Sequence, residues 1–254
     1  MKLTGRTILI TGGSSGIGLA LAKRFVELGN EVIITGRNRA RLDAARQATP
    51  QLQVLCSDAA DPVAIAELAR TVKHAHPELD VLVNNAGVMT YRNLAHPGED
   101  LAGLTSEVDT NVAGPVRLVA ALIEQLQANH GTIINVSSGL AFVPLTAAPI
   151  YSATKAFMHA YTITLRQQLA PHGVEVIELM PPAVRTELAA YPDDPSFKVI
   201  STDELVARTF KALHKGKLEI CPGQAGGLRF MSRMAPGFIR GVLEKGSRSL
   251  IPGT

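Results

Sequence analysis

The sequence predicts an α/β fold in which helices flank both faces of a doubly wound parallel sheet. Three observations carry that expectation. Seven short runs rich in Ile, Val and Leu recur along the chain, with helical patterns between them. The runs barely alternate in polarity, as strands buried on both faces do. The first run ends in a glycine-rich turn that opens at once into a helical pattern, the start of a Rossmann-like unit.

Taken in order, the strands are expected at residues 7–11, 31–35, 52–56, 81–84, 132–136, 174–179 and 218–221. Helices are expected between them at 16–29, 39–48, 61–74, 101–128, 151–170 and 202–213. A chain of 254 residues with 46% apolar content suits one such domain. No repeat or linker divides it, and the proline-bearing stretch 191–196 reads as a loop inside the domain. The expected division is a catalytic body over residues 1–224 and a basic amphipathic extension of the same domain over 225–254.

Charge and cysteine content exclude several function classes. The net charge of +3 is too mild for a nucleic-acid groove. It is unevenly placed: residues 225–254 carry +4 and the rest −1. Cys56 and Cys221 are too few for a disulfide framework or a sulfur metal site, and both read as core thiols. No metal is expected. The N-terminus runs straight into the first strand without a signal segment. The longest stretch free of charge, residues 125–154, holds Asn135, Ser137, Ser138, Pro144 and Pro149, so it is no membrane span. A cytoplasmic protein is expected.

The first turn reads Thr11-Gly12-Gly13-Ser14-Ser15-Gly16-Ile17-Gly18. Gly12 permits a tight turn, Gly16 lets backbone approach a pyrophosphate, and Gly18 allows close helix–strand packing. The helix that follows presents free N–H groups to an anion. The second strand ends in Gly36-Arg37-Asn38-Arg39, where an acid would bind a ribose 2′-hydroxyl. Guanidinium groups fit a 2′-phosphate instead, so NADP is expected over NAD. Asp58, after the third strand, either receives an adenine amino group or caps the next turn.

Asn84-Asn85-Ala86-Gly87 closes the fourth strand, where carboxyl ends form the ligand crevice. Tyr151-Ser152-Ala153-Thr154-Lys155 opens a helix, and its i, i+4 spacing puts Tyr151 and Lys155 on one face. A free phenol has a pKa of about 10, and a nearby ammonium lowers that value. Such a pair can move a proton to or from a carbonyl oxygen. Ser138 follows the fifth strand and can hold the same oxygen.

With these motifs in this order, residues 5–221 resemble the compact branch of the short-chain dehydrogenase/reductase family, about 250 residues long. The resemblance implies hydride transfer between nicotinamide C4 and a ketone, aldehyde or secondary alcohol. It implies diphosphate binding by Gly12, Ser14, Ser15, Gly16, Ile17 and Gly18, and support beside the cofactor by Asn85, Ala86 and Gly87. Tyr151 corresponds to the proton donor and acceptor, and Lys155 to the residue that tunes it and binds nicotinamide ribose. Ser138, thirteen residues before Tyr151, fits the substrate-orienting serine better than Ser137 does. Asn111 corresponds to the family's Asn that bends a helix and holds a water near the lysine. A homodimer or homotetramer is the implied assembly.

One departure stands out. After the sixth strand the family has Pro-Gly, whereas this chain reads Met180-Pro181-Pro182-Ala183-Val184-Arg185-Thr186. Proline removes an N–H and fixes φ, which questions the local backbone path. The Val184 backbone and the Thr186 hydroxyl remain able to serve the carboxamide and phosphates. The Pro-Pro form also resembles a bacterial branch named after an operon for D-alanylating lipoteichoic acid.

The substrate pocket is expected above Ser138 and Tyr151, walled by Val88, Met89, residues 140–145 and the loop 187–201. Leu140, Phe142, Val143, Leu145, Ala189, Ala190 and Tyr191 make it apolar, while Asp193, Asp194 and Lys198 face solvent. An apolar or weakly polar carbonyl or alcohol is therefore expected, and loop 187–201 is either a lid or an inert surface loop. The extension carries Leu228, Met231, Met234, Phe238, Ile239, Val242 and Leu243 between arginines, broken by Pro236-Gly237. Packing back onto the domain is the first expectation for it, subunit contact the second and a membrane surface the third. Two other functions remain open. A catalytically silent NADP(H) sensor on the same fold has no need of the Ser138, Tyr151 and Lys155 set. A glycine-loop methyltransferase requires an acid where Arg37 stands.

Overall fold

The computed structural model describes residues 1–98, 100–188 and 198–253. Seven strands form one sheet: β1 (Thr7–Ile10), β2 (Glu31–Gly36), β3 (Leu52–Cys56), β4 (Leu79–Asn84), β5 (Thr132–Val136), β6 (Glu175–Leu179) and β7 (Glu219–Ile220). Their order is β3-β2-β1-β4-β5-β6-β7, and every pairing is parallel. The helices that cover it are α1 (Gly16–Glu27), α2 (Arg39–Ala48), α3 (Pro62–Ala75), α4 (Leu101–Val108), α5 (Gly114–Ala128), α6 (Pro149–Leu169) and α7 (Thr202–His214). Two further helices, α8 (Gln224–Met234) and α9 (Pro236–Ser247), follow β7.

The strands lack polar alternation because each feeds two cores. Ile8 and Ile10 of β1 pack with Leu21 and Phe25 of α1 and Phe210 of α7 on one face. Leu9, between them, packs with Val72 of α3 and Leu118 and Leu122 of α5 on the other. Fully burying one such side chain contributes about 1.5–3 kcal/mol, so polar residues at these positions would unfold the sheet.

The expected helix at 101–128 is interrupted. A π-turn spans Asp109–Ala113 between α4 and α5. Pro115, in the first turn of α5, cannot donate to the Asn111 carbonyl, so a continuous ladder is impossible there. The extension breaks before Pro236, as expected, giving α8 and α9. The cysteines correct the sequence reading: Cys56 is exposed and Cys221 half-buried, so neither is a core thiol. Cys56 ends β3, which is an edge strand with a neighbour on one side only. Among the described residues, no helix is long and apolar enough to cross a membrane.

Candidate active site

Strand order reverses between β1 and β4, so the connections leaving their carboxyl ends diverge and open a crevice. A cavity of about 970 Å³ lies there, within the size range of cofactor and substrate sites. Its walls include the glycine turn, the ends of β2 to β6, the first turns of α6, and α8 and α9.

The turn after β1 is built for close approach. Gly12 has φ +63°, and a Cβ there would sit 2.8 Å from the Ala86 Cα. A Cβ on Gly18 would press on the Gly12 carbonyl and the Asn85 amide. Asn85 fastens this turn to β4: its Nδ2 donates to the Thr11 and Gly12 carbonyls at 2.9 and 3.1 Å. Gly18→Ala is therefore expected to cost about 1–3 kcal/mol, read as a lowered Tm in thermal unfolding. Ser15, the N-cap of α1, makes no side-chain capping bond, and the first turn of α1 carries no acid. The N–H groups of Gly16 and Ile17 stand at the cavity with Ser14 beside them, which suits a diphosphate.

The second-strand arginines divide. Arg37 lines the cavity, but Arg39 turns away and bonds Asp43 at 3.2 Å. Asn38 accepts from the Arg41 N–H and so starts α2 at Arg39. That phase carries Arg41 to the cavity, where it meets Glu187 at 2.7 Å across an exposed pair. Such a pair is worth about 0–1 kcal/mol, weak enough for a phosphate to displace. Arg41 is a candidate that the sequence reading missed. Asp58 lines the cavity while its Oδ1 accepts from the Ala60 N–H at 2.9 Å, so it also caps its turn.

Of the four candidate catalytic residues, Ser138, Tyr151 and Lys155 line the cavity and Asn111 does not. Tyr151 is 6% exposed and Lys155 lies one turn further along α6, its Nζ 5.5 Å from the Tyr151 ring centre. Lys155 Nζ donates to the Val136 carbonyl at 2.9 Å. Burial pulls its pKa from the usual lysine range down to about 8, against the opposing charge of Glu178. Ser138 lines the same wall, its Oγ accepting from the Leu140 N–H at 3.1 Å. Asn111 sits in the π-turn with Oδ1 accepting from the Val88 N–H at 2.8 Å. Its Nδ2 donates to the Val88 carbonyl at 2.9 Å and to Thr154 Oγ1 at 3.1 Å, tying the π-turn to α6 behind Lys155. Gly87 adjoins both: a Cβ there would be 3.7 Å from Lys155 Nζ.

The Pro-Pro segment still enters the crevice. Val184 pairs with Ile200 in a short parallel bridge, and Val184 and Thr186 both line the cavity. The Thr186 side chain lies against the glycine turn, 3.3 Å from where a Gly16 Cβ would be. The expected wall residues Ala189, Ala190 and Tyr191, the acids Asp193 and Asp194, and most of loop 187–201 lie outside the described residues.

Two further features escaped the sequence reading. Glu178, fully buried in the middle of β6, accepts from Ser137 Oγ at 2.5 Å, and its other oxygen meets His159 Nδ1 at 2.9 Å. An acid inside the apolar run Val-Ile-Glu-Leu was the available signal. The second is the cavity's far wall: the extension packs back onto the domain, as expected, but it does so with Leu228 and Met231 of α8 and Ile239 and Leu243 of α9 closing the cavity. Among the described residues, no cluster of His, Cys, Asp or Glu could hold a metal ion.

The family model for short chain dehydrogenases matches residues 6–195. The chain is 43% identical to the uncharacterized oxidoreductase DltE of Bacillus subtilis over 237 residues, 92% of this chain and 94% of that one. Its fold is similar to a short chain dehydrogenase from Burkholderia cenocepacia in complex with NADP, with TM-score 0.83 and 26% identity over 96% of this chain and 99% of that one. A short-chain dehydrogenase from Sphingobium yanoikuyae in complex with NADPH matches with TM-score 0.79 and 28% identity, over 94% and 95% of the two chains.

Proposed function

Because the chain belongs to the short-chain dehydrogenase family of oxidoreductases, we propose that it interconverts a ketone or aldehyde with the corresponding alcohol using NADP(H). The observation that carries this reading is Tyr151 one helical turn from a buried Lys155, at the floor of a cavity that also holds an uncapped helix N-terminus. NADP(H), when bound, supplies or accepts the hydride at nicotinamide C4. Tyr151 gives a proton to the carbonyl oxygen or takes one from the alcohol. Ser138 orients that oxygen, the Lys155 ammonium favours negative charge on the phenol oxygen, and Asn111 holds the π-turn and α6 in register.

In this reading Gly12, Ser14, Ser15, Gly16, Ile17 and Gly18 hold the diphosphate, and Asn85, Ala86 and Gly87 flank it. Asp58 meets the adenine, while Val184 and Thr186 serve the carboxamide side. Arg37 and Arg41 receive the 2′-phosphate, which makes NADPH the preferred reductant. Substrate is apolar or weakly polar, since Met89, Leu140, Leu145 and the α8–α9 wall surround the reacting end. Residues 1–224 act as the catalytic body and 225–254 as its extension. A cytoplasmic homodimer or homotetramer completes the reading, and the mass in solution tests the assembly.

The test is absorbance of the reduced nicotinamide with NADPH and NADH across a panel of ketones, aldehydes and alcohols. Turnover that prefers NADPH supports the reading. Tight NADPH binding with no turnover on any compound favours the sensor instead. Arg37→Ala combined with Arg41→Ala is expected to weaken NADPH by roughly tenfold to a hundredfold while leaving NADH nearly unchanged, because only the former carries the phosphate. A fluorescence titration of both cofactors reads this out. Equal losses for both would place the phosphate elsewhere.

A further inference from the structure

The extension has two faces with different work. Leu228, Met231, Ile239 and Leu243 turn inward and wall the cavity. The outward side keeps large apolar groups in water: Phe230 is 62% exposed, Met234 68% and Phe238 66%. Arg233 stands one turn from Phe230 on α8 and is exposed. On α9, Phe238, Val242 and Lys245 follow at i, i+4 and i+7, which is one side of a helix. Val242 belongs to both surfaces, since it lines the cavity and is also exposed, so the cavity rim adjoins this outward face.

We propose that the outward face of α8 and α9 docks on an anionic membrane surface, with Phe230, Met234 and Phe238 entering the headgroup–acyl boundary and Arg233 and Lys245 meeting the lipid charge. Bulky apolar groups interleaved with cations are what an interfacial helix requires. Charge selects the bilayer over a second copy of the chain. Residues 225–254 carry +4, and the pairing of Arg229 with Glu219 outside the segment leaves +3, so two such faces brought together repel. The one acid in the segment, Glu244, is already paired with Arg248 at 2.9 Å. Docking in this orientation sets the apolar rim of the cavity against the membrane. The docking itself is independent of the proposed reaction.

The test is flotation of the full-length protein with vesicles of equimolar phosphatidylglycerol and phosphatidylcholine, beside vesicles of phosphatidylcholine alone. The protein is expected to float with the anionic vesicles, not with the neutral ones, and to be released by high salt. Phe230→Ser with Phe238→Ser is expected to weaken binding at least roughly tenfold, and Arg233→Gln with Lys245→Gln by about as much. Thermal unfolding checks that both variants remain folded. Absence of flotation, equal flotation with both vesicles, or flotation untouched by either double variant overturns the proposal. Loss of a dimer in the Phe variant, with no flotation of the parent protein, assigns the face to a second copy and also overturns it. A failed oxidoreductase reading appears separately, as no NADPH oxidation on any carbonyl, and leaves the flotation result unchanged.

Discussion

Tyr151→Phe is expected to lower NADPH-dependent carbonyl reduction by about 10²–10⁴-fold, the usual contribution of a positioned acid or base. Cofactor affinity and fold should survive. The Tyr151 ring is buried with Leu145 and Ala148, against Met89, Leu140 and Leu243, and phenylalanine keeps that ring and its contacts. What disappears is the hydroxyl that, in the proposed reaction, exchanges a proton with the substrate oxygen. In the proposed reaction Ser138 positions that oxygen and is not expected to substitute as the donor. The measurement is steady-state absorbance for turnover, with NADPH fluorescence titration and thermal unfolding as controls. Turnover within tenfold of the parent, with both controls unchanged, would move the acid–base role to another residue.

The parts of the site legible in the sequence are those set by local geometry. Tyr151 and Lys155 share a helix face through their spacing alone, and the glycine turn announces itself by falling between a strand and a helix. The sheet was legible because its apolar runs had to satisfy two cores at once, as Ile8, Leu9 and Ile10 do on alternate faces. What depended on distant partners was less visible. Arg39 was an obvious phosphate ligand until Asn38 capped α2 and set the helix phase, which gives Arg39 to Asp43 and brings Arg41 to the crevice. Cys56 sits in an apolar run like any core residue, but an edge strand exposes it. The π-turn at Asn111 follows from Pro115, four residues on, where one missing N–H ends the ladder. The α8–α9 wall joins residues more than two hundred positions from the glycine turn, which no periodicity within α8 or α9 encodes.

Glu178 supplies the second large effect, because it bears on the charge of Lys155. The ammonium is fully buried, and burial lowers its pKa to about 8, while the negative charge of Glu178 pulls it back up. Below about pH 8 the positive charge beside the Tyr151 ring is present; above it the amine is neutral and the charge is lost. The kcat/KM for carbonyl reduction is therefore expected to fall along an alkaline limb near pH 8. Lys155→Met should remove that limb and lower kcat by about 10²–10⁴-fold, since no cation then favours charge on the phenol oxygen. Glu178→Gln keeps the Ser137 contact but removes the charge, so the limb should move to lower pH while the residual rate at low pH stays near that of the parent. The sign has a thermodynamic counterpart. A lysine whose pKa is lower folded than unfolded binds fewer protons in the folded state between the two values. From pH 8 up to the ordinary lysine value of 10.5, this group therefore adds stability as pH rises. Tm measured against pH in the parent and in Lys155→Met should diverge in that window, the parent gaining relative to the variant. A limb unmoved by Glu178→Gln, with Tm curves that stay parallel, would show that the ammonium is not the group titrating.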